Sequence, residues 1–427
     1  MAGIAKAADA KWTVEGKNLA DYVLRNGAFN SLKVCGKLFL PAIAVFYATT
    51  LSVAARFEGV HRFSQVPITR LLSNLGNRES CLPPWDRIGR ADLEFKIGRL
   101  HAMAYARKSE IADANGAKVD FLLMPAESFY GYHHQPVVQP ATNISEKQLA
   151  QDHLQKAIVH LSSAVTLNPS LTVARLGLAW CMDQAGKKPD ALKLYRRVFQ
   201  EAYKADLGSK GSLSGLSVTV ECSQYLLTLL DPTKDAAEIK DIKEKTEQMD
   251  HKFDAVTPIV IPLTSNCRLK NLVKASSVTF DLNGQGAKVC NQWISAQAGW
   301  LVFDPNASGR IESGISLVGG VTFWLFWKDG YDVLEALDDN LDGRLAGREL
   351  EDLSIWADTN GDGVAQAGEV QSLKAWNVTE LSCDRSKLQR MRSGLSNAQG
   401  ITFGNGEKRV TYDVWIPQSP VANTSAH

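Results

Sequence analysis

Two twelve-residue segments near the C-terminus hold oxygen-bearing side chains at a spacing that could coordinate calcium. Loop 1, residues 338–349, reads DDNLDGRLAGRE, and loop 2, residues 358–369, reads DTNGDGVAQAGE. Each has Asp or Asn at positions 1, 3 and 5, glycine at position 6 and glutamate at position 12. Calcium takes about six to eight oxygens, which such a loop supplies from these side chains and from the carbonyl of position 7. The predicted ligands are Asp338, Asn340, Asp342, Arg344, Glu349, Asp358, Asn360, Asp362, Val364 and Glu369.

Loops 1 and 2 resemble EF-hand loops, and the resemblance implies Ca²⁺ as the cofactor. The connection between them is short, because only residues 350–357 separate the final glutamate of loop 1 from the first aspartate of loop 2. Two full flanking helices do not fit in that length, so we expect one short helix shared by both loops. The alternative is a pair of acidic, glycine-rich surface turns that bind nothing, since turns also favour Asp and Gly.

Two degenerate relatives of these loops precede them. The segments VTFDLNGQG and VFDPNASG keep the alternating oxygen pattern from Asp281 and from Asp304, but position 12 holds Gln292 in one and Ile315 in the other. Fewer carboxylates lower the charge that sets calcium affinity. We therefore expect these two sites to be weak or vestigial.

Residues 278–383, about a quarter of the chain, are similar to the calcium-binding region of secreted bacterial haemolysin-type repeat proteins. The elements that carry the similarity are FDLNGQG, GWLVFDPNASGRIESG, DGYDVLEALDDNLDGRL and IWADTNGDGVAQAGEV. The chain departs from that pattern at Ser316, where a glutamate is usual, and this puts the Asp304 site in doubt.

The middle of the chain carries a helical repeat. Ala157, Leu161 and Ala164 have counterparts thirty-four residues later, at Ala191, Tyr195 and Val198. A 34-residue period with small residues where two helices touch resembles the tetratricopeptide repeat. Residues 91–109 are expected to form a partner helix, separated by an insert at 110–145, and residues 216–230 and 234–252 a third pair. The resemblance implies a protein or peptide partner; alternatively, so short an array is only a scaffold.

Composition gives no sign of nucleic-acid binding. The formal net charge is +1 over 427 residues, with no long block of like charges. No GxSxG, HExxH or phosphate-binding loop is present, so we do not predict an enzyme. A calcium-stabilised hydrolase with a site that is not recognisable from the sequence is the alternative function.

An uncharged apolar segment lies at residues 38–55, LFLPAIAVFYATTLSVAA, with Lys33 and Lys37 before it and Arg56 after it. A basic flank, an apolar middle and a small-residue end are the parts of a secretory signal. The segment could instead remain as a single membrane anchor, or be a buried helix. We expect an exported bacterial protein that meets a membrane only if this segment is retained.

The predicted fold class is α+β, mainly α: tetratricopeptide-like helical hairpins followed by a mixed domain with EF-hand-like calcium loops. The expected divisions are an N-terminal extension at 1–31, a signal or anchor at 32–55, a helical domain at 56–255, a calcium-binding domain at 263–417 and a tail at 418–427. The PIVIP segment at 258–262 is expected to mark the boundary. Strands are predicted at 378–382, 400–403 and 409–415, with a hairpin turn at Gly404, Asn405 and Gly406.

Overall fold

A computed structural model describes residues 65–113, 138, 140–208, 217–249, 255–265, 267–284, 288–325 and 327–417, which all belong to one compact unit, Phe63–His427. The predicted extension, signal or anchor segment, tail and most of the insert lie outside these residues. Among the described residues, no helix combines the length and the hydropathy that a membrane span requires.

Seven helices form the N-terminal part of the described chain. Asp86 and Asn143 begin the second and third by accepting a backbone N–H three residues on. Gly186, with φ of +77°, makes the turn between the fourth and fifth. The helices are α1 (Ile68–Cys81), α2 (Arg87–Arg107), α3 (Ile144–Leu167), α4 (Thr172–Gln184), α5 (Lys188–Gly208), α6 (Val218–Leu229) and α7 (Ala236–Glu247).

From α2 to α7, each helix packs on the next along the chain, which confirms the predicted stack of helical hairpins. The repeat-spaced residues Ala157, Ala164 and Ala191 are fully buried between helices. Gly98 of α2 lies so close to α3 that a β-carbon there would stand 2.7 Å from Leu161 Cγ. Small residues thus bring the helix axes together, as the repeat pattern predicts.

Helix α1 lies within the predicted helical domain of 56–255 but does not pack like the repeat helices. Ile68, Leu71 and Leu75 of α1 are buried in one cluster with strand residues of the C-terminal region, not with the repeats. Their spacing of three and four residues is that of an amphipathic helix, a signal that the sequence did contain. Helix α1 therefore belongs to the core of the second domain.

The C-terminal region is built on a curled antiparallel sheet of nine strands. Its strand order is β10-β9-β7-β4-β14-β13-β11-β8, with β12 also paired to β13. The strands and the two remaining helices are β1 (Gln65–Pro67), β2 (Ile111–Asp113), β3 (Ala255–Val256), β4 (Ile259–Pro262), α8 (Leu269–Leu272), β5 (Val273–Phe280), β6 (Val289–Ile294), β7 (Ala298–Phe303), α9 (Gly330–Leu337), β8 (Arg344–Ala346), β9 (Leu353–Trp356), β10 (Val370–Ser372), β11 (Val378–Ser382), β12 (Leu388–Met391), β13 (Gly394–Phe403), β14 (Lys408–Val414) and β15 (Ile416–Pro417).

The PIVIP segment, which is predicted to mark the domain boundary, is itself a central strand of the second domain. Its residues Ile259, Val260 and Ile261 are fully buried, and β4 pairs with β7 on one side and β14 on the other. A short, uninterrupted apolar run is what a strand covered on both faces requires. The second domain thus begins before residue 263.

The three strand predictions are confirmed. Strand β11 spans Val378–Ser382 as expected, and β13 and β14 form the predicted hairpin across the turn at Gly406, whose φ is +83°. Val321, Phe323 and Trp327 are also buried. Together the helical and sheet parts confirm the α+β class.

Candidate metal sites in two acidic loops

Loops 1 and 2 lie in sequence between elements of the second domain. Helix α9 leads into loop 1, which contains β8 and is closed by a single 3₁₀ turn at Gly347–Leu350; β9 leads into loop 2, and β10 follows it. The shared short helix predicted between the loops is therefore wrong: the connection contains the buried strand β9, whose four residues are all covered. Within the described residues, no helix–loop–helix unit surrounds either loop.

The backbones of the two loops turn in the same way. Positions 4 and 6 have positive φ in both, at Leu341 (59°) and Gly343 (81°) of loop 1 and at Gly361 (73°) and Gly363 (72°) of loop 2. Glycine tolerates this left-handed conformation and other residues rarely adopt it. The glycine at position 6 is thus required by the turn itself, as the sequence predicted.

In loop 1 the predicted ligands hold the backbone through their oxygens. Asp338 accepts hydrogen bonds from the N–H groups of Asp342 (3.3 Å) and Gly343 (2.9 Å). The Glu349 carboxylate joins the two ends of the loop, accepting from Asp339 N at 2.8 Å and Ala346 N at 2.9 Å. The side chains at positions 1 and 12 thus bind the same loop from opposite ends.

Loop 1 also contains hydrogen bonds between its middle positions. Asn340 Oδ1 accepts from Asp342 N at 2.9 Å, and Asp342 Oδ1 accepts from Arg344 N at 3.1 Å. The Arg344 guanidinium pairs with the Asp342 carboxylate at 3.2 Å. A cation in this loop would therefore compete with Arg344 for the position 5 carboxylate.

Loop 2 repeats this pattern position by position. Asp358 accepts from Asp362 N and Gly363 N, at 3.3 and 2.9 Å, and Glu369 accepts from Thr359 N and Gln366 N, at 3.2 and 3.1 Å. Asn360 Oδ1 again accepts from the N–H of position 5, at 3.1 Å, and the Val364 N–H donates to Asp362 at 2.8 Å. The last of these bonds lowers the pKa of the Asp362 carboxyl, which favours its ionised form.

Three of the four carboxylates at the first and last positions of the loops are buried. Asp338 is 3% exposed, Glu349 9% and Asp358 1%. Among the described residues, none of these carboxylates, nor that of Glu369, is within 4.0 Å of a Lys, Arg or His nitrogen. Buried charge without a counter-charge is costly, so these residues fit a site that takes a hard cation through oxygen.

The carboxylates are nevertheless not gathered into a cluster. Within the described ranges, no group of three or more His, Cys, Asp or Glu side chains stands close enough together to hold a metal ion. The carboxylates of each loop instead face backbone N–H groups. The loops therefore have the donor chemistry and the turn geometry of a calcium site, and the cation itself remains a prediction.

Each first aspartate also has a distant donor that the sequence did not indicate. Trp293 Nε1, on β6, donates to Asp358 Oδ2 at 2.5 Å, and Cys383 Sγ lies 3.6 Å from Asp338 Oδ2. Burial, followed by the nearby Asp338 charge, raises the pKa of the Cys383 thiol, which keeps it a donor. No local pattern identifies these partners, because they lie 65 and 45 residues away in the chain.

The degenerate loop at Asp304 has the same turn without the closing carboxylate. Asp304 accepts from Ser308 N and Gly309 N, both at 2.9 Å, and positive φ recurs at Ala307 and Gly309. Ile315 at position 12 is fully buried in the apolar core. The Asp304 turn keeps the shape of loops 1 and 2 with fewer charged oxygens. In the loop at Asp281, Gly284 at position 4 has a φ of +75°, and residues 285–287 lie outside the described residues.

Comparisons with known proteins divide the chain in the same way. Residues 148–208 match the model of the tetratricopeptide repeat, which confirms the predicted repeat in that region. Residues 260–417 match the model of the SPM domain, which is not an EF-hand. Iron-regulated protein FrpA of Neisseria meningitidis serogroup C is 36% identical over 107 residues, which are 24% of this chain and 10% of that protein. The chain thus spans only about a tenth of that relative.

Proposed function

We propose that the second domain binds calcium in loops 1 and 2, and that the bound ion stabilises the fold. The observation that carries the proposal is the repetition of one hydrogen-bonding pattern in both loops, around buried carboxylates that have no cationic side chain beside them. Asp338, Asn340, Asp342, the Arg344 carbonyl and Glu349 would hold the ion in loop 1. Their equivalents, Asp358, Asn360, Asp362, the Val364 carbonyl and Glu369, would hold it in loop 2.

A bound calcium ion would supply positive charge to the first and last carboxylates of each loop, which are held mainly by N–H donors. The loop residues themselves hold the backbone in the turn, because their hydrogen bonds form before any ion enters. Extracellular calcium modules commonly have dissociation constants of about 10⁻⁴–10⁻³ M. At about 10 mM calcium, such a site adds roughly 1–3 kcal/mol of stability by mass action.

We also propose that the protein is exported, and that its helical repeats contact a protein or peptide partner. The apolar segment at 38–55 and the similarity of residues 278–383 to secreted repeat proteins support export. The tetratricopeptide match supports the contact, since such repeats generally mediate protein–protein contacts. The two proposals are consistent with each other, because an exported protein would meet abundant calcium, which fills weak sites.

The deciding experiment is thermal unfolding with and without calcium. We expect millimolar CaCl₂ to raise the melting temperature of the wild type, and Asp338→Ala combined with Asp358→Ala to abolish that rise. Calorimetric titration should show two sites in the wild type and one in each single variant.

Asp231→Ala is the matched control for this experiment. Asp231 also caps a turn, accepting from Thr233 N and Lys234 N at 2.9 Å, but it lies outside both loops. Its replacement should lower stability slightly and leave the calcium response intact. A melting curve that millimolar calcium does not move would contradict the proposal.

A further inference from the structure

The first aspartate of loop 2 has a hydrogen-bond donor from outside the loop that the first aspartate of loop 1 lacks in comparable strength. The Trp293 indole N–H donates a hydrogen bond to Asp358 Oδ2 at 2.5 Å. Trp293 is 0% exposed and Asp358 is 1% exposed. The same oxygen accepts from Gly363 N, and Oδ1 accepts from Gly361 N and Asp362 N. A hydrogen bond to an ionised acceptor is about twice as strong as a neutral one, whereas the thiol of Cys383 is only a weak donor.

The position of Trp293 is itself fixed by other rings. Its ring centroid lies 5.2 Å from Phe280, 5.4 Å from Trp300 and 5.6 Å from Trp356. Trp300 and Trp356 are directly paired across β7 and β9, and Trp356 precedes Asp358 by two residues. The Trp293 indole is therefore held in place by side chains of β5, β7 and β9, and β9 leads into loop 2.

A second contact joins loop 2 to the hairpin of β5 and β6. A β-carbon at Gly363 would stand 2.3 Å from Val278 Cγ1, so position 6 of the loop lies directly against β5. Trp293 is on β6, which pairs with β5. The hairpin thus contacts loop 2 at position 1 through a hydrogen bond and at position 6 through packing.

We propose that Trp293 is a positioning residue for cation binding in loop 2. Its indole N–H fixes the orientation of the Asp358 carboxylate and leaves Oδ1 toward the loop, where a ligand oxygen is needed. This inference rests on the proposed calcium function and names a residue outside the loop that sets the affinity of one site. Partners that orient a metal ligand typically change the affinity about 10–100-fold.

The test is Trp293→Phe in an Asp338→Ala background, where calorimetry reports loop 2 alone. We expect the dissociation constant for calcium to rise about 10–100-fold. Trp300→Phe and Trp356→Phe are matched controls, because both indoles belong to the same buried cluster and neither nitrogen has an acceptor among the described residues. The controls should change the affinity less than about threefold, and Trp293→Phe in an Asp358→Ala background should leave loop 1 unchanged.

A second measurement needs no change in the core. In ¹⁵N-labelled wild type, the indole N–H resonance of Trp293 should shift during a calcium titration with the midpoint of loop 2. The shift should persist in Asp338→Ala and disappear in Asp358→Ala.

The outcomes separate the two proposals. If the wild type takes up calcium at two sites but Trp293→Phe and Trp300→Phe weaken loop 2 equally, or the Trp293 resonance does not move, the positioning role is refuted and calcium binding stands. If the wild type takes up no calcium, the proposed function fails and the positioning role fails with it.

Discussion

Buried carboxylates in this protein are stabilised in two different ways. Asp358 is surrounded by N–H donors, whereas Asp332 is surrounded by cations: Arg385 Nη1 lies at 2.8 Å and Lys96 Nζ at 3.5 Å. Burial alone would raise the pKa of Asp332, but Lys96 and Arg385 outweigh it and lower the pKa to about 2. Only the first kind of site leaves negative charge free to attract an added cation.

Glu335 leads to a prediction about pH. Burial, with the neighbouring Asp332 charge, raises the pKa of Glu335 to about 7 although Arg78 and Arg385 oppose it. A carboxyl whose folded pKa is raised favours folding when protonated, so its contribution is complete below about pH 4.5 and is lost as pH rises through 7. The contribution of Glu335 to the free energy of unfolding is at most about 3 kcal/mol.

We therefore expect Glu335→Gln to flatten the pH dependence of the free energy of unfolding between pH 5 and 7. Urea denaturation at several pH values measures this. Glu244→Gln, on the exposed face of α7, is the control, and an unchanged slope in Glu335→Gln would contradict the prediction.

At the scale of elements, α2 is unusual because it is buried on opposite faces. Leu93, Ile97 and Leu100 pack in the core of the second domain, while Phe95 and Ala102 pack in the core of the repeats. A helix that is covered all round lacks the single apolar stripe of a surface helix. Its sequence therefore predicts a helix but not which domain it joins.

Two helical glycines give opposite predictions. Gly98→Ala should destabilise the protein by about 1–2 kcal/mol, because the new methyl group would overlap both the side chain and the backbone of Leu161. Gly76→Ala in α1 should stabilise it by about 0.5–1 kcal/mol, because nothing lies within 4 Å and alanine favours helix. Denaturant midpoints of the two variants measure both effects. If the two variants changed the stability equally and in the same direction, packing of residue 98 against α3 would not be the cause of the effect of Gly98→Ala.

Across the whole molecule, α1 connects the N-terminal part of the chain to loop 1. Arg70 of α1 contacts Asp339, at position 2 of loop 1, at 2.9 Å, and Asp352 at 3.2 Å. Asn74 donates to the Ala336 carbonyl at 2.9 Å, at the end of α9. The start of loop 1 is therefore held by a helix that lies more than 250 residues earlier in the chain.

Export and partner contact are also properties of the whole molecule. If the segment at 38–55 is a signal, fractionated cells should hold the protein outside the cytoplasm, and N-terminal sequencing should place the mature end near residue 56. Cross-linking of that fraction should join partner peptides to α3–α6. An exported protein that keeps its N-terminus would indicate an anchor, and a cytoplasmic protein would contradict export.

The sequence by itself determined the local features. The 34-residue period, the hairpin turn at Gly406 and the turns of loops 1 and 2 were all predicted, because their residue types are required by backbone conformation or close helix contact within a few residues. The predicted calcium ligands do lie in matching turns, although their binding of the ion awaits experiment.

Only the tertiary structure decided the long-range features. The sequence predicts a boundary at PIVIP without showing that the segment is strand β4, and it predicts a helix between the loops, because short apolar runs do not show what will cover them. The bond from Trp293 to Asp358 and the place of α1 in the second core depend on segments that meet only after folding. Burial and the pairing of distant groups are properties of the packed chain, and no local pattern encodes them.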